Sequence, residues 1–188
     1  MRKLILDEWV SVDGFAARRN DEVDFFIDPK YSVQADDDMK AMMKDVDTIL
    51  LGATTYRLFV DYWPDATIDE EAMADVVNKT PKLVLSNSLK SAPWGKFEPA
   101  RIITGDLERT VRELKKQPGK NVILWGSLSV AAGLLKAGLV DQLNIRVCPV
   151  AIGQGKGFFP KDVDTLPLRL VNSKRYDSGV LLNEYVAD

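Results

Sequence analysis

Short apolar runs alternate with amphipathic segments along most of this chain of 188 residues. An apolar run bounded by turn residues is typical of a buried strand, whereas apolar positions three and four apart predict a helix. The predicted strands are Leu4–Val10, Thr48–Leu51, Lys82–Leu85, Ala100–Ile103, Asn121–Trp125 and Gln142–Val147. The predicted helices are Asp36–Val46, Thr54–Tyr62, Asp69–Asn78, Leu107–Lys116 and Leu128–Ala137. Asn20–Tyr31 is predicted as a loop, and Leu168–Tyr176 and Val180–Val186 are predicted to pair as a closing hairpin.

The order of these elements indicates an α/β fold. Strands that alternate with helices favour a parallel sheet, because parallel neighbours need a crossover connection, usually a helix. The closing hairpin adds an antiparallel edge to this mainly parallel sheet. A chain of this length can bury a sizeable core, and we predict a single domain over residues 1–188.

Three small, hydroxyl-rich turns come directly after predicted strands. They are Gly52-Ala53-Thr54-Thr55, Ser86-Asn87-Ser88 and Gly126-Ser127-Leu128-Ser129. Ligands of open α/β sheets bind beyond the carboxyl ends of the strands. The first N–H groups of a helix are unpaired and lie at the positive end of its dipole. Taken singly, the first turn is better explained by Thr54 or Thr55 as a helix N-cap, and the other two turns also fit ordinary local structure. Taken together, the three turns predict a dinucleotide lying across the strand ends.

Composition restricts the chemistry that such a site can use. The chain has no histidine, which excludes a Ser-His-Asp triad, a Cys-His pair and a His-based metal site, and we predict no bound metal. Acid–base steps must come from carboxylates, Lys, Tyr, Cys, water or the substrate itself. Such a chain suits a reaction whose hard step belongs to a cofactor.

Charge and cysteine content bear on location and partners. The net charge of −3 gives no reason to expect a nucleic acid or an anionic membrane surface as partner. No apolar run approaches the roughly 20 residues that span a bilayer. Cys148 is the only cysteine, so no intrachain disulfide can form. We therefore predict a cytoplasmic protein that acts on a small molecule.

Five segments carry a resemblance to a known family. They are Ser11–Gly14, Gly52–Tyr56, Leu85–Ser88, Gly126-Ser127 and, above all, GLVDQLNIRVCPVAIGQGKGFFP from Gly138 to Pro160. In this order they resemble the dihydrofolate-reductase-like superfamily, most closely the reductase domain of riboflavin-biosynthesis deaminase-reductases, in a stand-alone form. The resemblance implies a three-layer fold with helices on both faces of the sheet. It also implies NADPH-dependent hydride transfer to a pyrimidine- or pterin-like heterocycle, with 5-amino-6-(5-phosphoribosylamino)uracil as the substrate of the closest named activity.

The resemblance assigns the three turns to a bound NADPH. It implies that the Thr55 turn holds the pyrophosphate, that Ser86 and Asn87 lie near the adenine ribose, and that the third turn passes under the middle of the cofactor. The nicotinamide would lie near Trp9 and Ala16. The implied cofactor-binding residues are Gly52, Ala53, Thr54, Thr55, Ser86, Asn87, Ser88, Trp125, Gly126, Ser127, Leu128 and Ser129.

Two positions depart from the family pattern. Ala53 stands where the family usually has an arginine that pairs with the 2′-phosphate of NADPH, and alanine cannot make that bidentate contact. NADH is therefore an alternative cofactor. Gly126-Ser127 replaces the Gly-Gly pair that forms an unusual cis peptide in dihydrofolate reductases, which leaves the isomer of this bond open.

An acidic run supplies the candidate for proton transfer. Dihydrofolate reductases carry one acid on the helix before the second strand, where this chain has Asp36, Asp37 and Asp38. The resemblance implies Asp36 as the catalytic acid, with Asp37 and Asp38 as alternatives. The same run also fits the acidic first turn of a helix, which would complement the helix dipole.

Three further residues are predicted to bind substrate: Trp9, Asp13 and Arg146. Asp13 precedes Gly14, and an Asp-Gly pair is also typical of a simple turn. Arg146 alternates with apolar residues on a strand, so its charge must be satisfied by the pocket or by a neighbouring subunit.

The residues leave other functions open. The rival activity is reduction of a pterin by a dihydrofolate-reductase-type enzyme, and the rival class is a catalytically silent nucleotide-binding protein of the same fold. We also expect a homodimer, from the family resemblance and from the apolar segment Cys148–Phe159, which a partner could cover.

Overall fold

An eight-stranded sheet forms the centre of the structure, a computed structural model that describes residues 1–163 and 165–187 apart from the side chains at positions 32 and 33. The strands are β1 (Leu4–Ser11), β2 (Phe15–Ala17), β3 (Val46–Gly52), β4 (Lys82–Leu85), β5 (Arg101–Ile103), β6 (Asn121–Trp125), β7 (Gln142–Cys148), β8 (Lys156–Gly157), β9 (Leu168–Arg175) and β10 (Leu181–Ala187). The helices are α1 (Pro29–Met43), α2 (Ala53–Val60), α3 (Ala74–Lys79), α4 (Leu107–Lys116) and α5 (Leu128–Lys136).

The large sheet has the strand order β5-β4-β3-β6-β1-β7-β10-β9. Its first six strands are parallel, and β10 pairs antiparallel with both β7 and β9. The central strands β3, β6 and β1 are buried at nearly every position, as is usual where helices cover both faces of a parallel sheet. The predicted parallel sheet with an antiparallel hairpin at its edge is confirmed.

Helices cover both faces of this sheet, as the family resemblance implies. Successive strand residues point to opposite faces, so Ile49 and Leu50 enter different cores. On the Ile49 face pack α1, α2 and α3, and on the Leu50 face pack α4 and α5. The helix residues that fill the two cores are Met39, Met43, Tyr56 and Val77 on the first face, and Val111, Leu114, Ala131 and Leu134 on the second. The molecule is a three-layer α/β fold.

Helix α1 begins earlier than the periodicity predicts. It starts at Pro29 rather than Asp36, because Asp28 caps it by accepting a hydrogen bond from the Lys30 backbone N–H at 3.0 Å and because proline suits the first helical position. The prediction of a loop as far as Tyr31 is therefore wrong at its end. The run from Asp36 to Asp38 lies in the middle of the helix, so its interpretation as an acidic first turn is also wrong.

Two further elements differ from the predictions. Helix α3 starts at Ala74 rather than Asp69, and turns occupy the residues before it. A small second sheet pairs β2 with β8, which are too short to produce a readable hydrophobic period. This pairing brings the glycine-rich loop around Gly155 back to the turn that follows β1.

Two general properties complete the description. All peptide bonds among the described residues are trans, including the one that joins Gly126 to Ser127. None of the described helices combines the length and the apolar character that crossing a bilayer requires.

Candidate cofactor and substrate site

Two of the three predicted turns are joined by direct hydrogen bonds. The turn at Gly52 leads from β3 into α2, the turn at Gly126-Ser127 leads from β6 into α5, and β3 and β6 are neighbours in the sheet. The Ser127 hydroxyl accepts a hydrogen bond from the Gly52 backbone N–H at 2.6 Å and donates one to Thr55 Oγ1 at 2.8 Å. Two helix N-termini therefore meet at one point of the sheet edge.

The close approach of these turns explains their glycines. A Cβ atom at Gly52 would lie 2.6 Å from Ser127 Oγ. A Cβ atom at Gly126 would lie 2.9 Å from Thr55 Oγ1, and Gly126 has a φ of +58°, which side chains disfavour. Only glycine at both positions allows the two helix starts to touch as they do.

The N-termini of α2 and α5 have no side-chain cap. Gly52 and Ser127 are their N-cap residues, and neither helix receives a capping hydrogen bond from a side chain. In contrast, Asp28 caps α1 and Asp106 caps α4. The interpretation of Thr54 or Thr55 as a cap of α2 is wrong. The Gly52 N–H is bound by Ser127, and the N–H groups that follow it at the two helix starts are left for a ligand. Two positive dipole ends at one point favour an anion such as a pyrophosphate.

The third turn lies beside α5. Ser86 and Asn87 line a cavity of about 260 Å³ together with Ser129 from the first turn of α5. Ser86 Oγ accepts hydrogen bonds from the Ser88 and Leu89 backbone N–H groups at 3.2 and 3.1 Å, and these bonds hold the turn's shape. Ligand pockets usually have volumes of about 300–1,000 Å³, so this cavity suits one end of a dinucleotide rather than all of it. The structure thus brings all three predicted turns to one edge of the sheet.

A polar group lies in the core on the Ile49 face of the same edge. Asp7 of β1 is paired in register with Trp125 of β6 and with Asn144 of β7, which places three side chains in one row across the sheet. Arg146 lies two positions after Asn144 on β7 and forms an ion pair with Asp7. Asn144 Nδ2 donates a hydrogen bond to the same carboxylate at 3.2 Å. The guanidinium also lies 5.6 Å from the ring centroid of Trp9. Asp7 and Arg146 are only 2% and 1% exposed. We call Asp7, Trp125, Asn144 and Arg146 the polar row.

Three atoms of the polar row have no hydrogen-bond partner although they are buried. They are Asp7 Oδ1, Trp125 Nε1 and Arg146 Nε. An unsatisfied buried polar group costs about 1–3 kcal/mol, so a folded protein rarely retains three of them together without a reason.

The acidic run on α1 contains three residues in different environments. Burial and the nearby Glu71 carboxylate raise the pKa of Asp36 to about 6. Asp37 is exposed. Asp38 accepts hydrogen bonds from the Tyr176 hydroxyl at 2.6 Å and from Lys174 Nζ at 2.7 Å. Burial alone would raise the pKa of Asp38, but these two bonds outweigh it and lower the pKa. The proton affinity of Asp36 therefore suits proton transfer near neutral pH.

Strand β1 carries two buried acids, Asp7 and Glu8, that the sequence did not predict as candidate site residues. Asp7 and Glu8 were visible only as interruptions of an apolar run, although acids inside a buried strand must be satisfied or neutralised. Glu8 is 7% exposed and points to the Leu50 face, opposite to Asp7. Its Oε1 accepts a hydrogen bond from the Trp9 backbone N–H at 3.0 Å. Burial raises the pKa of Glu8 to about 8, so this carboxyl is mostly protonated at neutral pH.

Asp13 has a structural role in the described chain. Its carboxylate accepts hydrogen bonds from the Ser11 hydroxyl at 2.6 Å, and from the backbone N–H groups of Ile152 and Gly153 at 3.2 and 2.8 Å. These bonds tie the turn after β1 to the glycine-rich loop, and the bond from Ser11 is the main reason that the pKa of Asp13 is lowered. A contact between Asp13 and substrate remains a prediction.

Comparison with known proteins gives a consistent assignment. The model of the RibD C-terminal domain family matches residues 2–182. The uncharacterized protein YyaP of Bacillus subtilis (strain 168) is 31% identical over 182 residues, which cover 96% of this chain and 92% of YyaP.

Solved structures show the same fold. The diaminohydroxyphosphoribosylaminopyrimidine deaminase/5-amino-6-(5-phosphoribosylamino)uracil reductase of Thermotoga maritima superposes with a TM-score of 0.70 at 19% identity, covering 100% of this chain and 57% of that one. The dihydrofolate reductase of Enterococcus faecalis, solved in complex with NADP(H), superposes with a TM-score of 0.62 at 12% identity, covering 99% of this chain and 96% of that one. The fold is therefore the dihydrofolate-reductase-like fold.

Proposed function

This chain belongs to the RibD C-terminal domain family, and we propose that it is an NAD(P)H-dependent reductase that transfers a hydride to a small pyrimidine- or pterin-like heterocycle. The observation that carries the proposal is the meeting of two uncapped helix N-termini at the sheet edge. Similarity to a reductase solved with NADP(H) supports the choice of cofactor.

Several features of the described residues support this choice of cofactor. The free N–H groups at the starts of α2 and α5 would bind the pyrophosphate, and the absence of side chains at Gly52 and Gly126 lets the backbone approach it. Ser86, Asn87 and Ser129 would hold the adenosine end in their shared cavity. When bound, the reduced nicotinamide supplies the hydride.

Asp36 is the proposed source of the proton. Asp36 lies on α1, and the positive charge of Arg146 acts to lower its pKa. Asp36 therefore interacts electrostatically with a member of the polar row. A carboxyl with a pKa of about 6 can hold a proton in a partly buried site and release it to a nitrogen of the reduced ring. Burial raises the pKa of Asp36 in the same direction as it does for other carboxylic acids in apolar sites, which brings proton exchange closer to neutral pH.

The first candidate substrate is 5-amino-6-(5-phosphoribosylamino)uracil, as the family suggests. One observation favours an unphosphorylated ring, such as a pterin, as the second candidate. Arg18 and Lys156, two cations that a substrate phosphate could use, already form ion pairs with Asp24 and Asp21. A phosphate would have to compete with these carboxylates.

The proposal is tested first by cofactor binding. Titration with NADPH and with NADH, followed by tryptophan fluorescence, should show saturable quenching by at least one of them, because Trp125 lies at the proposed cofactor site. The absence of binding of either cofactor at millimolar concentration would refute the reductase function. If a cofactor binds, a panel of pyrimidines and pteridines should contain a compound that consumes the absorbance of the reduced nicotinamide.

A further inference from the structure

A second cavity lies at the opposite edge of the sheet from the proposed cofactor site. It has a volume of about 440 Å³, within the usual range of about 300–1,000 Å³ for ligand pockets. Lys82 and Arg101, the first residues of β4 and β5, both line it. Leu85 and Ile103, the last residues of the same two strands, line the cavity at the cofactor edge. The two cavities are therefore distinct and lie at opposite ends of β4 and β5.

Cations predominate among the charged residues that line the second cavity. They are Arg2, Lys79, Lys82 and Arg101, and Glu98 is the one acid among the described lining residues. Arg2 and Lys79 already form ion pairs with carboxylates that do not line the cavity. In the described part of the chain, Lys82 and Arg101 form no ion pair with a carboxylate. Once Glu98 is set against these two, one positive charge remains in the lining.

Lys82 is the buried member of this cation pair. Its residue is only 5% exposed, and its Nζ donates hydrogen bonds to the Asn78 and Thr80 carbonyl oxygens at 2.9 and 2.8 Å. The same atom lies 4.4 Å from the ring centroid of Trp94. Burial lowers the pKa of Lys82 to about 8, so the ammonium is still mainly protonated at neutral pH. Carbonyl dipoles and an aromatic ring offset less of the cost of burying an ammonium than a carboxylate would.

The rest of the lining limits the kind of anion that fits. Arg101 is exposed, and its guanidinium can form the paired N–H···O contacts that a carboxylate accepts. Leu83 and Leu114 are buried and line the same cavity, as do Pro81 and Pro99. One negative charge matches the one remaining positive charge, whereas a dianion would leave a charge uncompensated. A single carboxylate on an apolar body therefore suits both the charge and the walls.

We propose that the second cavity binds a small organic molecule that carries one carboxylate on an apolar body. The carboxylate would accept hydrogen bonds from the Arg101 guanidinium and lie beside the Lys82 ammonium. The apolar body would pack against Leu83 and Leu114. This site does not depend on the proposed reductase function, because it lies at the amino ends of β4 and β5. The alternative, that Lys82 serves only to bind the carbonyl groups at the end of α3, predicts no ligand.

The test is a titration of isotope-labelled protein followed by amide proton–nitrogen correlation NMR. Cyclohexanecarboxylate carries one carboxylate on an apolar ring, and cyclohexanecarboxamide keeps the shape without the charge. The carboxylate should shift the backbone amide signals of Leu83 and Arg101 in a saturable way. The carboxamide should bind at least about tenfold more weakly. The amide signals of Gly126 and Ser129, at the cofactor edge, should not shift.

Two variants test the role of the exposed cation. Arg101→Gln should weaken the binding of cyclohexanecarboxylate by at least about tenfold, because it removes the charged donors. Arg112→Gln is the matched control and should leave the affinity unchanged. Arg112 is an exposed arginine of α4 that does not line the cavity, and its guanidinium lies 3.8 Å from the Glu108 carboxylate.

Several results would overturn the proposed carboxylate site. Equal affinities for the carboxylate and the carboxamide would show that charge is not recognised, and this comparison needs no variant to fold. Shifts confined to Gly126 and Ser129 would place the anion at the helix starts of the cofactor edge. The absence of saturable shifts at millimolar ligand would leave Lys82 with a structural role alone. An unchanged affinity in a folded Arg101→Gln protein would also contradict the site.

Discussion

At the scale of single residues, the buried ion pair between Asp7 and Arg146 should dominate the response to mutation. Arg146→Met leaves the Asp7 carboxylate buried without a counter-charge, and such a change usually costs about 3–5 kcal/mol. The double variant Asp7→Leu/Arg146→Met removes both charges and should recover most of that loss. Free energies of unfolding from urea titrations measure both effects. If the single and the double variant lose the same free energy of unfolding, the unpaired Asp7 carboxylate is not the cause of the loss.

Glu8 should make stability depend on pH. Burial raises its pKa from the ordinary value of 4.5 to about 8, so the folded protein keeps a proton that the unfolded chain releases. Its stabilising contribution is complete below pH 4.5 and is lost as the pH rises towards about 8, with a slope of up to about 1.4 kcal/mol per pH unit. Glu8→Gln should flatten this slope, because glutamine does not ionise.

The measurement is the free energy of unfolding across this pH range, with the exposed Glu98→Gln as control. Asp36 contributes a slope of the same sign only up to about pH 6, and Lys82, whose pKa burial lowers to about 8, contributes a slope of opposite sign near and above pH 8. The interval between about pH 6 and pH 7 therefore reports mainly on Glu8. A wild-type slope that survives in Glu8→Gln would show that Glu8 is ionised in the folded protein.

The positions of candidate residues were predictable where a residue type and a local motif coincide. The small residues Gly52, Ser86 and Gly126 were found because each follows an apolar run. Asp36 was placed first among three consecutive aspartates only by the family resemblance, because residue types alone do not show which side of α1 faces Glu71 and which faces the hairpin residue Tyr176. Asp7 was missed because its partner, Arg146, lies 139 residues away in the chain.

At the scale of elements, the contact between the two helix starts should control cofactor binding. Gly52→Ala places a Cβ atom against Ser127 Oγ and must push the turn before α5 away, although the φ of −89° at Gly52 itself tolerates alanine. We expect NADPH affinity to fall by about tenfold or more, a loss of about 1.4 kcal/mol of binding free energy. Gly157→Ala is the control, since a Cβ atom there would meet no atom within 4 Å. An unchanged affinity in a folded Gly52→Ala protein would place the cofactor elsewhere.

The accuracy of the element predictions follows the strength of the local signal. Helix α4 and strands β4 and β6 were predicted to the residue, because a cap or a clear change of period marks their ends. The start of α1 was missed, because the cap at Asp28 and the proline after it lie in a polar, aromatic stretch without helical periodicity. The pair β2 and β8 is stabilised by a long-range contact and has almost no local pattern.

At the scale of the whole molecule, the structure points to a dimer surface other than the apolar segment Cys148–Phe159 for the expected homodimer. Cys148 and Phe158 are buried within the chain at 0% and 2% exposure, so much of the apolar segment that contains them does not need a partner. Strand β9 instead forms an edge of the sheet, and Leu170 and Val171 are about half exposed on it. An edge strand with free backbone groups and apolar side chains is suited to pairing between subunits.

Light scattering should therefore give a dimeric mass, and Val171→Asp should shift the protein towards the monomer by placing a charge in that contact. Lys161→Asp, at an exposed position outside the edge strand, is the control. A monomeric mass for the wild-type protein would contradict the expectation.

The sequence by itself determined the alternation of strands and helices, the three turns and the exclusion of histidine chemistry, because these depend on residue types and on neighbours within a few positions. The tertiary structure decided how the turns combine and which charges are buried. The bond from Ser127 to Thr55 spans 72 residues and the pair of Arg146 with Asp7 spans 139. Such contacts arise only when parallel strands bring their carboxyl ends to one edge, and no local pattern records which distant side chains will meet there.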